Sequence, residues 1–100
     1  MIYEQRRYNL PPGKRREFIE LIGEKAMPIY EKYGIKLVGF WETDIGERNE
    51  CVFMMAFEDL SQREKFWENL RRDEEYAKMP RPCDAITVSI LRPTKYSPMK

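Results

Sequence analysis

Residues Ile35–Phe57 read IKLVGFWETDIGERNECVFMMAF, and this stretch decides the fold. Ile35–Thr43 has the composition of a strand with apolar residues on both faces. Strict alternation puts Leu37 and Trp41 on one face and Val38 and Phe40 on the other. Asp44-Ile45-Gly46-Glu47-Arg48-Asn49 is a polar turn containing a glycine. Cys51–Phe57 is a second strand, in which Val52, Met54 and Ala56 alternate with Cys51, Phe53, Met55 and Phe57. An antiparallel sheet with one face in water alternates apolar with polar. This pair of strands does not, so both of its faces need cover.

Outward from the hairpin, Lys14–Lys25 carries Phe18, Ile19, Leu21 and Ile22 near helical spacing, and Ala26, Ile29, Tyr30 and Tyr33 extend the stripe. Pro11-Pro12-Gly13 opens that helix, Pro28 kinks or restarts it, and Gly34 suits its C-cap. After the hairpin, Ser61-Gln62-Arg63-Glu64 has the form of a capping box. It predicts a helix with Phe66, Trp67 and Leu70 on the buried side, ended near Met79-Pro80-Arg81-Pro82. Ile2–Tyr8 and the β-branched run Ala85–Leu91 supply the outer strands of the sequence, and Pro93 and Pro98 mark an extended tail. The order is β-α-β-β-α-β. With right-handed crossovers it gives a four-stranded antiparallel sheet, spatial order 4-1-3-2, with two helices on one face: an α+β fold. The uncovered face then needs a partner, and a second copy of the chain is the simplest one. A homodimer is expected.

Composition narrows the function. One hundred residues are one domain, 1–100. The chain has no histidine, which removes the commonest general base, metal ligand and haem ligand, and with them Ser–His and Cys–His nucleophile pairs. Cys51 and Cys83 fit no CxxC pattern and read as thiols of a reducing cytoplasm. Neither a metal nor a cofactor is expected. Eighteen Lys+Arg against 17 Asp+Glu leave a net charge of +1, which gives little attraction for nucleic-acid phosphate. The strand order is shared with RNA-recognition domains, and Phe53 and Phe57 share one strand face as base-stacking rings would. Asn49-Glu50-Cys51-Val52, however, lacks the basic residue and the glycine of the RNA-binding motif. No apolar run approaches the ~18 residues of a membrane span, and MIYEQRRYNL lacks the apolar centre of a signal peptide. Few Asn, Gln, Ser and Thr beside abundant Glu, Lys and Arg suit a heat-adapted surface.

The first strand is the odd one. It is placed centrally, yet Glu4, Arg6 and Tyr8 stand on one face and Tyr3, Gln5 and Arg7 on the other. A buried charge must be paired. Two readings follow. Either Glu4 and Arg6 pair to fix register, within the chain or across a dimer, or Arg6 and Tyr8 form a polar patch in an apolar cavity for a small anion or carbonyl. Trp41, as a platform for a flat ligand, and Asn49, in the turn, complete the candidate ligand-binding set of Glu4, Arg6, Tyr8, Trp41 and Asn49. Each of these last two has an ordinary structural use as well: core aromatic and turn residue.

Tyr3-Glu4-Gln5-Arg6-Arg7-Tyr8 with Pro12-Gly13-Lys14 resembles the opening "YELRxY…PGK" of the NIPSNAP family. Leu37–Thr43 with Ile45-Gly46 and Asn49 is similar to its "LVGFWxTExG…N" hairpin, and Phe57-Glu58-Asp59-Leu60 with Arg63 to its "YDDLxxR" helix entry. Ile90-Leu91-Arg92-Pro93-Thr94 with Tyr96-Ser97-Pro98 is similar to its "ILRPTxFSP" tail. The resemblance covers essentially the whole chain. It implies a dimeric α/β barrel of two ferredoxin-like subunits with facing sheets. It also implies an undefined biochemical role, in a superfamily that includes cofactor-independent monooxygenases and haem-degrading enzymes. Many members carry a histidine and then an aromatic residue in the third strand, where this chain has Phe53 and Met55. Two functions are therefore expected: binding of a small apolar or carbonyl-bearing ligand or a partner protein, or a cofactor-independent monooxygenase acting on a phenolic or polyketide-like substrate. In the second, Arg6, Tyr8, Trp41 and Asn49 would orient the substrate, and Glu4 would serve as the base only where burial raises its pKa.

Overall fold

The computed structural model describes residues 1–80 and 83–100. Strand β1 (Ile2–Asn9) leads through the Pro11–Gly13 turn into α1 (Arg15–Leu21), a π-helical turn (Ile22–Ala26) and α2 (Met27–Lys32). The hairpin β2 (Leu37–Glu42) and β3 (Glu50–Phe57) follows, then α3 (Leu60–Arg72), the short α4 (Glu74–Ala77) and β4 (Ala85–Leu91). All four strands pair antiparallel in the order β2-β3-β1-β4, the order expected from the crossover rule. The architecture is the expected ferredoxin-like α+β sheet with its helices on one face. Among the described residues no helix is long and apolar enough to cross a membrane.

Pro28 does not break the first helical segment. Its missing N–H and its ring conflict with the carbonyl four residues back, and the wider π turn immediately before it absorbs that conflict. Gly34 ends the segment at φ +84°, with Ile35 N–H donating to Tyr30 O (3.0 Å) and Gly34 N–H to Glu31 O (2.9 Å), the paired bonds of a Schellman cap. Helix α3 begins earlier than its Ser61 capping box implies. Asp59 is the N-cap: its extended backbone aims Oδ1 at Gln62 N–H (2.8 Å), and Gln62 Oε1 accepts from Glu58 N–H (2.6 Å). Of the expected stop at Met79–Pro82, Arg81 and Pro82 lie outside the described residues.

The helix-covered face holds the core. Cys51, Phe53, Met55 and Phe57 of β3 are fully buried against Phe18, Ile22, Ala26, Ile29, Tyr30, Phe66 and Leu70 of the helices. Phe53 and Phe57 therefore lie beneath helices, where no base could stack on them. The face assignment within β2 needs correction. Leu37 pairs with Met55, but Gly39 pairs with the next residue, Met54, so the strand carries one extra residue. The bulge puts Leu37 and Phe40 together on the core side and leaves Gly39 and Trp41 on the open side. A period-two reading cannot see such an insertion. The open face carries Trp41 with the half-buried Val52, Met54 and Ala56, and Arg7 and Glu50 form an ion pair there (2.9 Å).

Candidate functional site

The register of β1 decides where its polar residues point. Glu4, Arg6 and Tyr8 pair with Met55, Phe53 and Cys51 of β3, so all three face the helices. On the other side they pair with Ile90, Val88 and Ile86 of β4. Helix α3 runs above them and presents Arg63, Trp67 and Arg71 at four-residue spacing, one face of the helix.

Glu4 is fully buried, and both of its oxygens are engaged. Oε2 accepts from Arg6 Nη1 (2.7 Å), and Oε1 accepts from Arg63 Nε (2.6 Å) and Trp67 Nε1 (2.9 Å). Three donors replace the water that burial removes, two of them charged. Arg6 is held further by its Nε, which donates to the Tyr8 hydroxyl (2.8 Å), and by the Trp67 ring, 4.5 Å from its guanidinium carbon. Burial opposes the Arg6 charge, but Tyr8 and Glu4 outweigh it and hold the guanidinium above its ordinary value. Burial pushes the Tyr8 phenol up, against the pull of Arg6, so Tyr8 is a neutral hydroxyl. Because its oxygen accepts from Arg6, its own hydrogen is left over, and it meets no acceptor among the described residues.

Two openings adjoin this knot and share Tyr76 as a wall. A groove of about 410 Å³ is lined by Arg6, Arg63, Glu64, Trp67, Arg71 and Tyr76, a volume within the range of small-molecule pockets. An apolar cleft of about 30 Å³, room for about one water, lies among Tyr8, Phe18, Ile22, Tyr30, Cys83 and Ile86. The Tyr8 ring packs there between Phe18, tilted at 4.7 Å, and Phe53, stacked at 5.2 Å. Cys51 and Cys83 are not joined by a disulfide.

The structure thus brings Glu4, Arg6 and Tyr8 together and places the other two candidates elsewhere. Trp41 is on the opposite face of the sheet, 53% exposed, with its indole over Gly39. Asn49 ties the hairpin to the loop after β1. Its Nδ2 donates to Leu10 O (3.2 Å) and Pro11 O (3.3 Å), and its Oδ1 accepts from Arg15 Nε (2.9 Å). Arg15 also donates to Thr43 O (2.7 Å), which closes the other end of the turn. The residues that sequence reasoning did not place in the site are Arg63, Trp67 and Arg71. Their signal is the four-residue spacing, which becomes legible only once a buried acid is known to need donors from a helix.

The NIPSNAP family model matches residues 3–98. No curated protein matches significantly. Among solved structures, a NIPSNAP family protein from Agrobacterium tumefaciens is 29% identical, with a TM-score of 0.89 over 99% of this chain and 98% of that one. An uncharacterised NIPSNAP-like domain protein from Burkholderia xenovorans is 30% identical, with a TM-score of 0.86 over 97% and 88%. A Streptomyces coelicolor monooxygenase solved with nanaomycin D shares the fold alone: 8% identity, TM-score 0.63, over 93% and 87%. The family match spans nearly the whole chain, the four sequence motifs fall inside it, and the fold agrees throughout: the chain belongs to the NIPSNAP family.

Proposed function

We propose that this chain binds a small apolar or carbonyl-bearing ligand on the helix-covered side of its sheet, in the openings beside Arg6 and Tyr8, and that it does so as a homodimer in the cytoplasm. The observation that carries the reading is Tyr8. A buried hydroxyl whose oxygen already accepts from Arg6 has one proton left to give, and the Tyr8 side chain lines an apolar cleft. A ligand carbonyl reaching that cleft would take the proton, with Arg6 strengthening the donor. Glu4 serves from below, by holding Arg6 and Arg63 in place. The apolar half of the open sheet face, with Trp41, Val52 and Met54, supports a second copy docked sheet to sheet as a dimeric α/β barrel. The two cysteines without a disulfide between them suit a reducing compartment.

Native mass spectrometry of gently purified protein tests both parts. The expected result is a dimer mass with a small, reproducible excess that denaturation releases. A clean dimer mass counts against a retained ligand and turns attention to a partner protein. A monomer mass overturns the sheet-to-sheet assembly.

The fold shared with the Streptomyces coelicolor monooxygenase favours one second reading, a cofactor-independent monooxygenase acting on a phenolic or polyketide-like substrate. Arg6, Tyr8 and Trp67 would orient such a substrate. The base is the weak point, since both oxygens of Glu4 are already taken by donors. Oxygen uptake in the presence of a naphthol, lost in Tyr8→Phe, would support this reading; no uptake counts against it.

A further inference from the structure

The knot around Glu4 is electrically unbalanced. One buried carboxylate holds two guanidiniums, with Arg6 only 11% exposed at its side chain. The groove above adds Arg71 and Glu64, so among the described residues its surroundings carry three arginines against two carboxylates. Arg6 also has hydrogens to spare: Nε and Nη1 are engaged, while Nη2 makes no hydrogen bond among the described residues. Arg71 makes no ion pair or hydrogen bond among them either. Excess positive charge in a partly dry site is unfavourable until an anion balances it. Beside Arg6 and Tyr8, the register sets Val88 and Ile86 on the same side of the sheet, about two-fifths exposed at 42% and 38%, as an apolar shelf.

We propose that the groove takes a carboxylate carried on a flat or branched apolar body. The head lies between Arg6 Nη2 and Arg71, and the body lies along Trp67 and the Val88–Ile86 shelf. This rests on the ligand-binding reading above and names its chemistry. Glu64, at the rim, limits the site to a single negative charge, since a second would meet it.

Calorimetric titration of the full chain with 1-naphthoate and with its uncharged isostere 1-naphthamide tests this. The acid is expected to bind about tenfold more tightly than the amide, the size of one charge-assisted hydrogen bond. Arg71→Gln is expected to remove most of that preference. Arg71 is exposed and holds nothing in the fold, so the variant should keep the parent circular dichroism. Amide binding as tight as acid binding overturns the anionic head and leaves the ligand-binding reading standing. No binding of either compound overturns both. A full acid preference in Arg71→Gln overturns the placement of the head.

Discussion

Two carboxylates are buried among the described residues, Glu4 and Asp73, and they are spent differently. Asp73 caps α4: Oδ1 accepts from Tyr76 N–H (3.0 Å), and Oδ2 accepts from Tyr33 Oη–H (2.7 Å) and Lys32 Nζ (3.0 Å). One acid meets one base, and the bonds tie the end of α2 to the α3–α4 junction. Glu4 meets two bases, and its donors line a groove. The first arrangement is a closed latch. The second is a platform whose charge is balanced only in part. Burial of an acid alone therefore does not mark a site; the surplus of its partners and the space above them do.

The comparison can be broken most sharply at Glu4. Glu4→Ala leaves Arg6 beside apolar core with one partner gone, and should lower unfolding stability in urea by about 3–5 kcal/mol, the usual consequence of orphaning a buried charge. A loss under ~1 kcal/mol would mean that the two arginines reach water without difficulty and that the knot is no platform. Trp67→Phe keeps a ring over Arg6 but removes the Nε1–H bond to Glu4. It should lower stability by about 2 kcal/mol in the same assay. Asn49→Ala, which cuts the tie between hairpin and β1 loop, should lower stability by about 1 kcal/mol. It should also speed amide exchange at Leu10 and Thr43 while leaving β4 unchanged.

Asp73 is read through the pH dependence of stability. The Tyr33 hydroxyl, the Tyr76 amide and the Lys32 ammonium hold its carboxyl well below the usual carboxylate range. A depressed folded-state value means that its stabilisation is complete above the unfolded-state value of about 4. The stabilisation is then lost as the pH falls from there toward the folded-state value. Asp73→Asn keeps an acceptor for the cap and should flatten that acid limb in a circular dichroism titration. An unchanged limb would mean that the Asp73 latch does not set the acid sensitivity.

Most of the fold was legible, because periodicity, prolines and glycines are local. The four strands and the stop at Gly34 follow from neighbouring residues, and the central place of Ile2–Tyr8 follows from the crossover rule. The bulge after Leu37 was not legible: alternation gives a phase, and one inserted residue resets it silently. The α3 cap was displaced because Asp59 competes with Ser61 for the same role, and only the backbone angle at 59 chooses between them. Of the candidate site, Glu4, Arg6 and Tyr8 were legible as an anomaly, polar residues in a strand placed centrally. Their partners were not, since Arg63 and Trp67 lie 59 and 63 residues from Glu4 in the chain. Trp41 and Asn49 were drawn in by residue type, which carries no information about which side of a sheet a side chain occupies.

Gly39 bears on the outer topography of the sheet. A Cβ at this position would run into the ring carbons of Trp41. A single missing methyl thus lets a large indole lie down along the strand instead of standing away from it. Replacing Gly39 by alanine would tip the ring upward and turn a smooth surface into a ridged one. How closely any flat partner can approach that side of the molecule is set by the smallest residue on it.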